Sequence, residues 1–121
     1  MMSDELHRQA MPMDLHAVLE QVFTIKEHDL RTFAQLQRAP GSTVNELAGI
    51  LDRDRSTVNR SLTTLREQGL VRRERRLLDT GGYVYQYIPE DHETVRTQLH
   101  EGLDRWCATM HAEIDAFDGS L

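Results

Sequence analysis

Arg55, Ser56, Asn59, Arg60 and Thr63 recur at three- and four-residue intervals, so a helix running through them would present all five on one face. Each residue type has a use against a nucleic acid. A guanidinium can donate two parallel hydrogen bonds to guanine, an asparagine amide can pair with adenine, and a short hydroxyl can bond bases or phosphates. The charge distribution agrees: residues 53–76 hold eight arginines against Asp54, Glu67 and Glu74, a net of +5. Since the whole chain carries −6, everything outside that stretch carries −11. A basic stripe on an acidic body is the footprint expected for a polyanion. An ordinary solvated helix face is the plainer reading of the same residues, and an acidic protein would satisfy the same arginines.

The elements that must hold these side chains are legible on either side of them. Val44, Leu47, Ala48 and Leu51 recur at helical spacing, stop at Asp52-Arg53-Asp54, and resume as Val58, Leu62 and Leu65. Two short helices meeting at a tight turn follow. Thr43 with Glu46 three residues on forms a capping box for the first, Asp54 caps the second, and Gly69 supplies the left-handed residue that ends it. With Val58, Leu62 and Leu65 turned to the core, the polar set faces outward. After Gly69 come LVRRERRLL, the turn Asp79-Thr80-Gly81-Gly82 and YVYQYI, which read as a β-hairpin. Its first strand and tip are crowded with Arg72, Arg73, Arg75 and Arg76, placed to meet phosphates or a minor groove.

The string DRSTVNRSLTTLREQGLVRRE resembles the recognition helix and wing of winged-helix transcription regulators of the MarR and TrmB type, over about residues 29–88. In such proteins a Ser-Thr-Val-x-Arg stretch lies on the DNA-facing helix, so the resemblance implies DNA contact at Ser56, Thr57 and Arg60. The wing and its acidic flanks look most like haloarchaeal members, of the RosR oxidative-stress kind. The expected DNA-contacting set is Thr43, Arg53, Arg55, Ser56, Thr57, Asn59, Arg60 and Thr63, with Arg72, Arg73, Arg75 and Arg76 from the wing.

The expected fold is mainly α with a small β-hairpin: a winged helix-turn-helix between N- and C-terminal dimerisation helices. Residues 1–28 would form an arm and a helix contributing to the dimer, 29–88 the DNA-binding domain, and 89–121 a long C-terminal dimerisation helix. From Met13 to Lys26, apolar Leu15, Val18, Leu19, Val22, Phe23 and Ile25 make a stripe wide enough for two buried faces. Asp29 is placed to cap the next helix, which Pro40-Gly41 closes. Pro89 breaks the second strand, and a helix over about 90–117 carries Val95, Leu99, Leu103, Trp106, Met110, Ile114 and Phe117 at steps of four and three. So long a stripe has little of its own chain to cover it. A second copy is the physical solution, pairing through Leu15, Leu19, Val22 and the long stripe, and such a dimer would read a palindromic operator. The competing arrangement folds the long helix back on its own domain.

Other features bound the function. With 121 residues the chain is one domain, no apolar run reaches membrane-spanning length, and the opening MMSDELHRQAM lacks the apolar core of a signal peptide, so the expected location is cytoplasmic. Thirteen arginines against the single lysine Lys26, with twenty acids, suit a cytoplasm at molar salt; a GC-rich genome would bias the basic residues the same way. At about 1 M salt the screening length falls to about 3 Å, which leaves binding to direct contacts and DNA shape.

Tyr83, Tyr85 and Tyr87 alternate onto one face of the second strand, where packing with an exposed hydroxyl is the commoner use and stacking on bases the rarer. His100 with Asp104 and His111 with Asp115 are spaced as metal ligands on a helix, joined in principle by His7 and His16. Without HExxH or CxxC spacing, solvation or ion pairing is the better reading and no metal is expected. Cys107 is alone, which rules out an intrachain disulfide; it reads as a small buried hydrophobe, or as a thiol that bridges to its counterpart across a dimer under oxidation. No G-x-S-x-G, P-loop or dinucleotide fingerprint is present, so neither enzyme activity nor a cofactor is expected.

Overall fold

A computed structural model describes residues 13–121. The expected N-terminal arm and His7 lie outside the described residues. Five helices and a hairpin follow in the order α1 (Leu15–Phe23), α2 (Glu27–Arg38), α3 (Val44–Leu51), α4 (Arg55–Glu67), β1 (Val71–Leu77), β2 (Tyr83–Pro89) and α5 (His92–Asp115).

The core forms where α1 to α4 and the base of the hairpin converge. Val58, Leu62 and Leu65 of α4 are 1%, 0% and 0% exposed, and they pack in one cluster with Leu36, Leu47, Leu70 and Tyr87. Burying each such aliphatic side chain is worth about 1.5 to 3 kcal/mol. That term outweighs the weak helix preference of the Ser, Thr and Asn residues in α4, so packing fixes the rotation of the helix. Local chemistry then fixes its ends. Asp54 accepts from the Thr57 N–H at 2.7 Å, and Gly69 turns the chain out of the helix at φ +76°. The expected box at α3 is present in both halves, Glu46 N–H to Thr43 Oγ1 at 3.2 Å and Thr43 N–H to Glu46 Oε1 at 3.0 Å.

Several boundaries differ from the sequence reading. The first helix ends at Phe23 because Thr24 takes a left-handed conformation, φ 58°, and its N–H closes onto Glu20 and Leu19 carbonyls. Ile25 is therefore buried from a loop and not from the helix stripe. The next helix starts at Glu27, and Asp29 stands inside its first turn and reaches back to the Lys26 N–H at 3.0 Å. Pro89 is the last residue of β2, paired with Val71, and does not interrupt the strand.

The long helix divides its stripe. Val95, Leu99 and Leu103 are half-buried against the core, and Phe23 sits so close to Gly102 that a methyl group there would run into its ring. The near half of α5 thus folds back on its own domain, as the competing arrangement had it. Beyond it, Trp106, Met110, Ile114 and Phe117 are exposed, Ile114 at 65%. Leu19, expected at a dimer face, is instead a core residue at 6% exposure, and Val22 is half-buried on the same core, whereas Leu15 is exposed. Cys107, read as a buried hydrophobe, is exposed, since it lies on the half of α5 that leaves the core.

Candidate nucleic-acid interface

With Val58, Leu62 and Leu65 inward, the opposite side of α4 presents Arg55, Ser56, Asn59, Arg60 and Thr63, all exposed. Thr57 is half-buried beside them, and Ser61 is buried. The Thr63 hydroxyl donates to the Asn59 carbonyl at 2.9 Å, which leaves its lone pairs outward. Hydrogen bonds from the Thr57 backbone and then its side chain hold the Asp54 carboxyl below its ordinary range, with a further contribution from the Arg60 charge. Asp54 is thus engaged at the helix start. Thr43 is similarly engaged at the start of α3, where its N–H and then its side chain lower the Glu46 carboxyl.

The hairpin sorts its arginines onto two faces, because side chains alternate along a strand. Register pairs Arg73 with Tyr87, Arg75 with Tyr85 and Leu77 with Tyr83, so these six share one face. There the Arg73 guanidinium lies 3.9 Å over the Tyr85 ring and Arg75 lies 4.2 Å over Tyr83, while the two outer rings meet edge to face at 5.4 Å. Tyr87 is buried at 2% and structural, as expected; Tyr83 and Tyr85 instead serve as platforms for cations. A hydrogen bond from Arg75, one from Tyr83 and the charge of Arg73 hold the Tyr85 phenol below its ordinary value. On the other face Arg72 is drawn to Glu90 at 3.4 Å and Glu74 at 3.6 Å. Arg76 shares that second face. The hairpin tip, expected to be arginine-rich, holds none: it runs through Leu78, Asp79, Thr80 and two glycines with φ of +90° and +81°.

Polar clefts flank α4 on both sides. One lies toward the wing, lined by Arg55, Asn59, Arg73, Tyr83 and Tyr85 together with the start of α3 at Thr43. The other lies toward the α1–α2 corner, where Lys26 and His28 join Arg53, Thr57, Arg60 and Thr64. Lys26 and His28 had no place in the sequence-based set, although a lone lysine among arginines was a signal. Elsewhere, no three His, Cys, Asp or Glu gather as a metal cluster among the described residues, and no helix there is long and apolar enough to cross a membrane.

Comparison with known proteins gives this geometry a context. An uncharacterized protein from Methanocaldococcus jannaschii is 30% identical over 97 residues, spanning 80% of this chain and 74% of the relative. In structure, the chain resembles a possible transcriptional regulator from Methanosarcina mazei Go1, with a TM-score of 0.70 at 24% identity over 88% of this chain and 91% of that one. It also resembles Streptococcus pneumoniae FabT in complex with DNA, with a TM-score of 0.51 at 18% identity over 98% of this chain and 80% of that one. Residues 19–91, which run from α1 through the hairpin, match the family described as the sugar-specific transcriptional regulator TrmB. The chain is therefore a winged-helix transcriptional regulator and belongs to the TrmB family.

Proposed function

We propose that the protein binds double-stranded DNA in a sequence-specific manner as a homodimer, with α4 in the major groove of each half of a palindromic operator. One observation carries this reading: the exposed side of α4 is made of Arg55, Ser56, Asn59, Arg60 and Thr63, and it lies beside wing arginines already stacked on tyrosines. These side chains match base edges and phosphates, and α4 shows none of the exposed aromatic or leucine residues that anchor a protein interface. FabT, a relative in fold, is known in complex with DNA, which supports the same use. Arg53, Arg55, Ser56, Thr57, Asn59, Arg60 and Thr63 meet the major groove, with Thr43 at its edge. Arg73, Arg75 and Arg76 meet the backbone or the adjacent minor groove. Arg72 contributes least, because Glu74 and Glu90 compete for it.

Dimerisation follows from the far half of α5. Trp106, Met110 and Ile114, exposed along more than two turns of α5, and Phe117 just beyond its end leave an apolar surface that a second copy covers. Val95, Leu99 and Leu103 extend the seam where they are still half-exposed, next to Leu15. The acidic body and arginine-dominated basic stripe suit binding at molar salt, where short contacts outlast long-range attraction. Selection of duplexes from random-sequence DNA by the full-length protein tests the reading: an enriched two-fold symmetric site supports it, and an unenriched pool contradicts it.

A further inference from the structure

A helix lying in a major groove about 12 Å wide has a phosphate strand along each of its sides. The wing supplies cations on one side of α4. On the other side stands the cleft at the α1–α2 corner, where Lys26 and His28 face Arg53 and Arg60 across two threonines of α4, Thr57 and Thr64. We infer that this cleft is a phosphate site, and that it seats one phosphodiester of the DNA backbone opposite the strand held by the wing. The inference rests on the DNA-binding reading above and adds to it residues from outside the helix-turn-helix and wing.

Three observations carry it. Among the described residues, Arg31, Arg72 and Arg96 each close a salt bridge with a glutamate, whereas Lys26, Arg53 and Arg60, like Arg55 of α4 and Arg73 and Arg75 of the wing, close none. The one carboxylate in the cleft, Asp29, is 3% exposed, and its two oxygens are already engaged by the Lys26 N–H at 3.0 Å and His28 Nε2 at 3.2 Å. Finally, the chain's single lysine stands here, in a protein that otherwise uses arginine. A compact ammonium meets a phosphate as a point charge from many directions, whereas a guanidinium needs a fixed fork, so lysine suits a rim contact with a backbone oxygen. The Thr64 hydroxyl can donate to the same group, whereas that of Thr57 is engaged with Asp54.

The test compares the wild-type protein with Lys26→Gln and Lys26→Arg on a duplex recovered by selection, across the KCl range in which circular dichroism shows each protein folded. Removing one phosphate contact should lower the slope of log K against log salt by about 0.9 while leaving the order of preferred sequences unchanged. Lys26→Arg should restore the slope. Ethylation of a single backbone phosphate beside the recognition helix should weaken the wild type and leave Lys26→Gln unaffected. An unchanged slope in Lys26→Gln, with the wild type still bound, overturns this inference alone; a wild type that binds no duplex overturns it together with the reading beneath it. Inorganic phosphate that displaces duplex from the wild type but not from Lys26→Gln, with equal slopes, would assign the cleft to a free phosphate ligand and overturn the backbone assignment.

Discussion

The Arg73 guanidinium rests 3.9 Å from the centre of the Tyr85 ring, on the neighbouring strand and two residues along from its register partner Tyr87. Together with Arg75 over Tyr83, it turns two long, mobile side chains into a fixed pair of cations on the face of the wing that borders the Arg55–Asn59 cleft. Stacking of this kind removes rotamer freedom before any ligand arrives, so less is lost on binding.

The tyrosines should therefore matter to binding without touching bases. Tyr85→Leu and Tyr83→Leu are each expected to weaken duplex binding about two- to fivefold, and Tyr83→Phe to keep most of it, because that ring holds Arg75 by its face; Tyr85→Phe also loses the hydrogen bond from Arg75 and should fall between the two. A spectrophotometric titration offers a direct check: one tyrosine should ionise below the ordinary range in the wild type and shift up toward it in Arg75→Ala, with Tyr83 and Arg73 holding part of the depression.

Helix starts tie stability to acid. The carboxyls of Asp54, Asp91 and Glu46 are all lowered, chiefly by backbone hydrogen bonds from Thr57, Thr94 and Thr43. A depressed carboxyl contributes stability above its unfolded value and loses it as pH falls through the folded one. Asp54→Ala should accordingly lower Tm at neutral pH, and the difference should shrink toward zero as pH drops below the ordinary aspartate value of 3.8.

Packing predictions separate the domain from its long helix. Leu62→Ala, at a fully buried position, should cost about 2 to 5 kcal/mol in denaturant unfolding. Gly102→Ala should cost about 1 to 3 kcal/mol by pushing Phe23 off its seat between α1 and α5.

Much of this arrangement could be read from residue spacing. Val58, Leu62 and Leu65 announce the inward face of α4, and Thr43-Glu46, Asp54 and Gly69 are local signals whose geometry depends on a few neighbouring residues. What escaped was non-local or unusual. Nothing in the type of Thr24 marks a left-handed residue, so the end of α1 and the burial of Ile25 from a loop were hidden. The pairing of Arg73 with Tyr85 needs the strand register, which depends on the geometry of the folded hairpin turn and not on residue types alone. Lys26 reaches the α4 cleft through the α1–α2 corner, a tertiary approach invisible to periodicity.

The surface left on α5 should set the oligomeric state. Trp106→Glu and Ile114→Asp lie where the helix has left the core, so each is expected to keep the fold by circular dichroism and to shift sedimentation from dimer to monomer. A wild type that sediments as a monomer at micromolar concentration would contradict the dimer.

The most direct measurement of the central claim compares Arg60→Ala with Arg75→Ala on a selected duplex and its single-base variants, in dilute salt and in about 2 M KCl. A bidentate base contact is worth about 1 to 3 kcal/mol of discrimination, so Arg60→Ala should flatten the preference at one base position, while Arg75→Ala should weaken all duplexes alike. Wild-type preference should persist at the higher salt. If both variants bind every duplex as the wild type does, the outward face of α4 is not what reads DNA.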